Sequence, residues 1–333
     1  MVLPNYYYIC KKYAMRTPRY RDEIGDLLEK DGIITVEDFV ASCPGMPKAS
    51  VYSKIRSLLR DNMIVIQIST IILTILVGLA VGSFLNVVIY RLPNNMSLSR
   101  PKSHCPKCEH SLAWYDNIPL LSYVMLGGKC RYCKTKISLR YPLIEFTNMV
   151  LWFLCLMMFT NFIIPSMTVN WYRFACYCII CSTLICIFFI DLDHLVIHDV
   201  LQIVLLICAI VLIFEDLSWQ TLLNKAIGCA VSGLIFYLVR VIFKLVKHKE
   251  ALGLGDVFLV AIMGLALGGY RILFALILSC LVGGIILLII ALINKDKNKQ
   301  YPFALLLVPG FLVSMFVGDY VVNFYLSLLG VTL

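Results

Sequence analysis

The sequence predicts an all-α polytopic membrane protein with about eight transmembrane helices, from its composition, its apolar runs and the charges between them. Of the 333 residues, 60% are hydrophobic and 15% are charged. The mean hydropathy of +0.86 lies outside the range of soluble domains. Taking about 20 apolar residues for each crossing, we place spans near residues 64–90, 143–165, 172–190, 200–214, 222–245, 256–270, 271–293 and 302–328.

These spans divide the chain into four predicted parts. Residues 1–62 form a small N-terminal helical extension, residues 63–90 the first transmembrane helix, residues 91–142 a cytoplasmic loop domain and residues 143–333 the main transmembrane domain. The first apolar run lies too deep in the chain for an ordinary cleaved signal peptide, so we expect it to remain as a span.

The N-terminal extension has the pattern of three short helices. They fall at Tyr20–Lys30, from Thr35 onwards and at Lys48–Asp61, with a turn at Pro44-Gly45. Such a unit is similar to a winged helix-turn-helix, and one interpretation is DNA or protein binding. The alternative, an appended unit with a solvated basic face, is favoured because the segment holds only ten basic residues against eight acidic ones.

Lysine and arginine concentrate in alternate connections between the spans. Residues 91–140 hold nine of them against two acids, residues 244–249 hold three, and residues 294–300 hold three more. By the positive-inside rule these loops are cytoplasmic. Topology and attraction to anionic membrane lipid then account for most of the net charge of +9, so no nucleic-acid partner is favoured.

This topology does not decide on which side of the membrane the N-terminal extension lies. If the first span crosses the membrane fully, residues 1–62 lie outside the cell, where DNA binding is impossible. Either the extension is an external or surface-lying appendage, or the first apolar segment does not cross.

Four cysteines in the first cytoplasmic loop form two close pairs. Cys105 and Cys108 are followed after 21 residues by Cys130 and Cys133. Two such pairs suit a tetrahedral Zn²⁺ site, which would fold a loop too polar to build its own core. Disulfides or four unrelated thiols are the alternatives, and the reducing side of the membrane disfavours stable disulfides. Cysteines within the apolar spans are expected to pack as small hydrophobes.

Two aspartates at the ends of apolar runs are candidate functional residues. Asp191 ends the run 177–190, and Asp256 follows Gly253-Leu254-Gly255 at the start of another run. Ionisable groups at span ends mark either a working site or a solvated boundary. Asp193 and Asp199 lie near Asp191, and the residues alone leave open which of them act and which are solvated helix caps.

Five motifs occur in a fixed order between residues 64 and 328. They are Gly82-Ser-Phe-Leu-Asn-Val-Val-Ile-Tyr-Arg-Leu-Pro93, the paired cysteine loop with residues 117–123 and 127–130, Arg140-Tyr-Pro-Leu-Ile-Glu145, Ile190-Asp-Leu-Asp-His194 and Gly253-Leu-Gly-Asp256. Together they resemble the type IV prepilin peptidases, the bifunctional leader peptidase and N-methyltransferase family of GxGD aspartic proteases.

The resemblance implies that Asp191 and Asp256 are the catalytic pair. Two such carboxyls share a water molecule, one ionised and the other protonated. Glycines in the second motif would let the backbone approach an extended peptide closely, because they have no side chain. The residues expected to support the pair are Gly253, Gly255, Asp193, His194 and Asp199.

The resemblance also implies a substrate, a second reaction and a location. The substrate is a prepilin or pseudopilin whose leader is cut at the cytoplasmic face of the bacterial inner membrane. The second activity methylates the new N-terminal residue with S-adenosylmethionine, and the family associates it with the zinc loop and with Gly127, Gly128 and Lys129.

Four positions, in three segments, depart from the family pattern. This chain has His198-Asp199 where the family usually has Pro-Asp, and Phe258 where the family commonly has lysine. It has Pro302-Phe303-Ala304-Leu305 where the family has Pro-Phe-Gly-Pro. Neither aspartate is lost, so the departures bear on substrate fit more than on reaction type.

Two other classes of function remain at this point. A transporter or channel could use Asp191 and Asp256 as an ion site, and a membrane-anchored regulator could sense metal through the cysteine loop. The transporter predicts paired acids at mid-membrane and internal repeats, which the sequence does not display. The regulator requires residues 1–62 inside the cell.

Overall fold

The structure is a computed structural model that describes residues 48–159, 171–247, 252–293 and 302–328. These residues are helical apart from loops, short 3₁₀ turns and two isolated β-bridges. The α-helices are α1 Lys48–Arg91, α2 Leu121–Met125, α3 Arg140–Phe159, α4 Trp171–His194, α5 Asp199–Val211, α6 Trp219–Lys247, α7 Leu254–Leu267, α8 Gly269–Ile293 and α9 Ala304–Leu328.

Each of the eight predicted apolar spans falls mainly on a helix, and within the described residues five helices are both long and apolar enough to cross a membrane. The long ones are Val65–Arg91, Arg140–Phe159, Trp171–His194, Trp219–Val246 and Ala304–Tyr325. The shorter apolar helices are Asp199–Phe214, Leu254–Leu267 and Gly269–Ile285. The predicted all-α membrane fold is therefore confirmed, and the count of eight transmembrane helices stays a prediction.

The structure describes only one of the three helices predicted for the N-terminal extension. The expected helices at Tyr20–Lys30 and from Thr35, and the turn at Pro44-Gly45, lie outside the described residues. Residues 48–61 are helical as predicted, but they are not a separate helix, because α1 continues without a break to Arg91. No glycine or proline interrupts the sequence between Lys48 and Val77, so nothing there ends the helix.

The chain divides into two compact units, Met1–Thr70 and Ile71–Leu333. In the first unit, the described residues belong to α1. In the second, α4 is the most buried of the five long apolar helices, because 72% of its most apolar 18-residue stretch lies inside the protein. Helices α5 and α9 each pack against both α4 and α7. The ends of α4 and α7 are thus held by the same two neighbours.

A close helix crossing fixes α7 against α6. A Cβ atom added at Gly264 would lie 2.6 Å from Oγ of Ser232 and would overlap the carbonyl oxygen of Gly228. A Cβ at Gly228 would likewise lie 2.6 Å from the carbonyl oxygen of Gly264. Small residues at such crossings let helix backbones approach within a membrane. The two glycines therefore set the position of the helix that carries Asp256.

A buried polar network joins α1, α3 and α4. Nδ2 of Asn148 donates to the carbonyl oxygen of Gly78 at 2.7 Å. Its Oδ1 accepts the hydroxyl of Ser182 at 2.8 Å, and Trp152 Nε1 donates to that hydroxyl oxygen at 3.0 Å. Interhelical hydrogen bonds of this kind hold helices together where apolar contacts with lipid are just as favourable.

Candidate active site and metal centre

Asp191 lies near the C-terminal end of α4 and is buried. The residue as a whole is 5% exposed. Oδ2 accepts the main-chain N–H of Ala304 at 2.8 Å, and Ala304 is the first residue of α9. The carboxyl of α4 is therefore bonded directly to the start of another helix.

Asp256 occupies the first turn of α7. Gly253 precedes the helix as its N-cap residue, and its N–H donates to Oδ2 of Asp256 at 3.2 Å. Oδ1 of Asp256 is buried and accepts no hydrogen bond from any residue that the structure describes. Asp191 lies close enough to repel this carboxyl electrostatically. The structure thus brings together two carboxyls that are far apart in the sequence.

Gln202 holds the turn that presents Asp256, and it was not among the residues predicted for the site. Its buried amide Nε2 donates to the carbonyl oxygen of Gly255 at 2.9 Å. A Cβ atom at Gly255 would lie 3.2 Å from that nitrogen and 3.2 Å from Cβ of Ile197, so the position is tight. The available signal was a polar amide inside the apolar run 200–214, which needs a buried partner.

The other predicted supporting residues, Asp193, His194 and Asp199, are exposed. Asp193 forms an ion pair with Arg140 at the start of α3, 2.6 Å from its Nη1. Nη2 of the same arginine donates to the carbonyl oxygen of Phe189 at 3.3 Å. His194 ends α4 and Asp199 begins α5, and both are exposed. Arg140 thereby ties the starting end of α3 to the end of α4 that carries Asp191.

The four loop cysteines form one cluster. Their Sγ atoms all lie within 4.8 Å of one another, and Sγ of Cys105 lies 3.8 Å from Sγ of Cys133. In a tetrahedral zinc site with Zn–S bonds of about 2.3 Å, sulfurs are separated by roughly 3.8 Å. The cluster therefore fits a four-coordinate metal ion.

The two cysteine pairs have the same backbone geometry. The N–H of Cys105 donates to the carbonyl oxygen of His110 at 3.0 Å, and that of Cys130 donates to Thr135 at 2.8 Å. Glu109 and Lys134, each directly after the second cysteine of its pair, have positive φ angles of 57° and 58°. Matching turns that aim four sulfurs at one point are what a metal site requires.

Three thiols of this cluster, those of Cys105, Cys108 and Cys133, have pKa values shifted from the ordinary value. Hydrogen bonds to the Thr135 side chain and backbone lower the pKa of Cys133 to about 6. The backbone amides of Cys108 and Lys107 lower the pKa of Cys105. The amide of His110 lowers the pKa of Cys108, but burial and the neighbouring sulfurs raise it to about 11. Crowded sulfurs resist carrying several negative charges, and a bound cation relieves that repulsion.

Residues 127–129 form the turn that leads into the second cysteine pair. Gly127 and Gly128 have positive φ angles of 57° and 67°, a conformation that favours glycine. A Cβ atom at Gly128 would also lie 2.9 Å from the hydroxyl of Tyr123. The side chain of Lys129 is exposed. The structure gives the glycines a backbone role next to Cys130.

The loop is anchored to the helices by a buried carboxylate. Oε2 of Glu145, on α3, accepts the N–H of Leu120 at 2.8 Å, and Leu120 has a positive φ of 57°. Within the loop, Arg131 pairs with the buried Asp116 at 2.7 Å. Glu145 belongs to a quoted motif, but the sequence assigned it no role.

A cleft of about 570 Å³ lies between the end of α1 and the loop. Its polar lining includes Ser83, Arg91 and Lys102, and its apolar lining includes Phe84 and Trp114. Clefts of this volume accept small organic ligands. No carboxylate is among the described residues that line it.

Two family models match the chain. The Bacterial Peptidase A24 N-terminal domain matches residues 76–159, and the Type IV leader peptidase family matches residues 178–288. The chain belongs to the type IV leader peptidase family. Its members include a Pseudomonas aeruginosa protein named prepilin leader peptidase/N-methyltransferase, which is 34% identical over 286 residues, 78% of this chain and 94% of that protein.

Two further relatives have similar names. A prepilin leader peptidase/N-methyltransferase of Myxococcus xanthus is 38% identical over 211 residues, which are 63% of this chain and 59% of that protein. A type 4 prepilin-like proteins leader peptide-processing enzyme of Escherichia coli is 37% identical over 246 residues, 68% of this chain and 86% of that protein. No solved structure matches the chain.

Family membership confirms the resemblance inferred from the five motifs. It also favours a leader peptidase over the transporter. Asp191 and Asp256 both fall within the matched range 178–288, and the four loop cysteines fall within 76–159.

Proposed function

We propose that this protein is a membrane-embedded aspartic endopeptidase that removes the leader peptide of type IV prepilins or pseudopilins. We also propose that it methylates the new N-terminal residue. The observation that carries the proposal is that the buried Asp191 lies close enough to Asp256 for the two carboxyls to interact electrostatically, in a chain whose relatives are named for both activities.

Hydrolysis needs two different states of the carboxyl pair. One ionised carboxyl takes a proton from the attacking water while the other, protonated, donates to the oxygen of the scissile carbonyl. The water oxygen bonds to the carbonyl carbon, and the carbon–nitrogen bond then breaks as a proton passes to the leaving nitrogen. Gly255 lets the turn before Asp256 pack against Gln202 and Ile197, and Gly253 donates its N–H to the Asp256 carboxyl. The exposed Asp193, His194 and Asp199 would contribute much less than the pair itself.

We place this chemistry at the cytoplasmic face of the bacterial inner membrane. The Arg140–Asp193 ion pair joins the end of the cysteine loop to the end of α4 that carries Asp191. The carboxyl pair of Asp191 and Asp256 and the cysteine loop therefore lie at the same end of the helix bundle. That loop is rich in lysine and arginine, which favours the cytoplasmic side. Membrane lipid would cover helices such as α6, because only 11% of its most apolar stretch is buried within the protein.

For the cysteine cluster we propose Zn²⁺, held by Cys105, Cys108, Cys130 and Cys133. Its role would be structural, since four cysteine ligands leave no open coordination position. S-adenosylmethionine would supply the methyl group for the second activity. We associate Gly127, Gly128 and Lys129 with that activity only through the fold of the loop, and we assign no step to the cleft beside α1.

The proposal is tested by expressing the protein with a prepilin in a bacterium that lacks its own prepilin peptidase. Mass spectrometry of the pilin N-terminus is expected to find the leader removed and the new terminus heavier by one methyl group. Cells without the protein serve as the control. An uncut prepilin in membranes that contain the protein would contradict the peptidase, and a cut but unmodified product would contradict only the methyltransferase.

A further inference from the structure

The main-chain amide of Ala304 bonds directly to one member of the proposed catalytic pair. We propose that this amide is a positioning group that keeps Asp191 oriented and ionised, so that Asp191 is the general base and Asp256 carries the shared proton. The inference rests on the proposed peptidase function and goes beyond it, because it divides the two roles between named carboxyls.

The surroundings of Asp191 favour a negative charge. Its Oδ2 accepts a hydrogen bond of 2.8 Å from an amide at the first position of α9. Such an amide has no partner inside its own helix, and the N-terminal end of a helix attracts negative charge. Ala304 is 0% exposed and Asp191 is 5% exposed, so solvent cannot easily replace this donor.

The surroundings of Asp256 are poorer in donors. The N–H of Gly253 reaches its Oδ2 at the longer distance of 3.2 Å, and its Oδ1 accepts no hydrogen bond from the described residues although it is buried. Burying an unpaired charge is costly, and two close carboxyls resist ionising together. A proton on Oδ1 of Asp256 removes both costs and provides a free donor for the scissile carbonyl oxygen.

The proton transfers then follow in order. A water proton moves to Asp191 as the water oxygen bonds to the carbonyl carbon, and the proton of Asp256 moves to the carbonyl oxygen. When the carbon–nitrogen bond breaks, Asp191 gives its proton to the leaving nitrogen, and Asp256 recovers its proton from the oxygen as the carbonyl reforms. The peptide and one water molecule account for every atom.

This role explains one departure from the family pattern. The pattern Pro-Phe-Gly-Pro has glycine where this chain has Ala304, and both residues supply a main-chain N–H. The neighbouring change from proline to Leu305 affects a different amide. The substitution at 304 therefore leaves the bond to Asp191 in place.

The test is Ala304→Pro, which removes this N–H and places a ring methylene against Oδ2 of Asp191. Proline is tolerated at the first helical position, so α9 is expected to form. We expect kcat for leader cleavage to fall about 10- to 100-fold, the range for losing a hydrogen bond to a charged group, while KM stays unchanged. Ala304→Gly and Leu305→Pro both keep the amide and should retain kcat within a few-fold.

Asp191→Asn and Asp256→Asn are measured in the same membranes. If both are inactive while Ala304→Pro keeps the wild-type kcat, the role of Ala304 is wrong and the peptidase proposal stands. If both Asn variants cleave normally, Asp191 and Asp256 are not the catalytic pair, and the aspartic mechanism proposed for them is wrong.

A second measurement does not depend on the folding of Ala304→Pro. The infrared difference spectrum between wild type and Asp256→Asn at neutral pH should contain the absorption of one protonated carboxyl, because all other acids cancel. A difference spectrum without that absorption would overturn the assignment of the proton to Asp256.

Discussion

Replacing either Asp191 or Asp256 with asparagine is expected to slow leader cleavage by about 10²- to 10⁴-fold, the usual contribution of a general acid or base. Asparagine keeps the size of the side chain, but it can neither accept a proton from water nor donate one as a carboxylic acid. Asp191 also makes its bond to Ala304 through an oxygen that asparagine retains, so the loss should reflect chemistry more than packing. The rate is measured as conversion of a prepilin by membranes that contain equal amounts of each variant.

Asp199→Asn is the matched control. Asp199 is also an aspartate near the same motif, but it is exposed at the start of α5. We expect its rate to stay within about tenfold of wild type, because exposed charges contribute little. A large loss in Asp199→Asn together with normal cleavage by Asp191→Asn would move the active pair elsewhere.

Removing the metal from the cysteine cluster is expected to abolish methylation and to reduce leader cleavage much less. Structural zinc sites supply on the order of 10 kcal/mol of folding free energy, and the loop around Cys105 and Cys130 has few buried apolar residues of its own. Without the ion the loop should unfold, while the bundle that holds Asp191 and Asp256 keeps its own packing. Zinc content, limited proteolysis of the loop and the mass of the pilin N-terminus are compared before and after chelation.

Cys130→Ser and Cys280→Ser form a matched pair for this prediction. Cys130 belongs to the cluster, whereas Cys280 is an exposed thiol on α8. Cys130→Ser should lose zinc and gain a protease-sensitive loop, and Cys280→Ser should retain one zinc ion per chain. Equal zinc content in both variants would show that the cluster does not bind the metal.

Composition and residue spacing predicted much of this molecule. The apolar runs are helices because each is long enough and contains few interrupting residues, as in the buried α4. The paired cysteines converge because two short turns repeat the same local geometry around Cys105 and Cys130. Local patterns of this kind depend on residues that are close together in the sequence, so the sequence alone was sufficient to predict the helices and the cysteine cluster.

Contacts that use the main chain could not be predicted. The main-chain N–H of Ala304 donates to Asp191, and the side-chain amide of Gln202 donates to the main-chain carbonyl oxygen of Gly255. Every residue except proline has such groups, so no residue type identifies the partner. Glu145 is similar, because its partner is the amide of Leu120 in a distant loop.

The length of α1 was missed for a different reason. A break was expected near Asp61 because the polar segment ends there and the apolar run begins. A change from polar to apolar surroundings does not end a helix by itself, and the residues that follow contain no breaker. The helix therefore continues through the change in polarity.

The most direct test of the carboxyl pair is the binding of a transition-state analogue. The probe is a prepilin peptide in which a hydroxyl-bearing carbon replaces the scissile carbonyl, so that the hydroxyl occupies the place of the attacking water. We expect it to inhibit the wild-type protein and Asp199→Asn with an affinity at least about 10²-fold above that of the parent peptide, and to lose this advantage in both Asp191→Asn and Asp256→Asn. Equal affinity for all four proteins would contradict an aspartic peptidase built on these two residues.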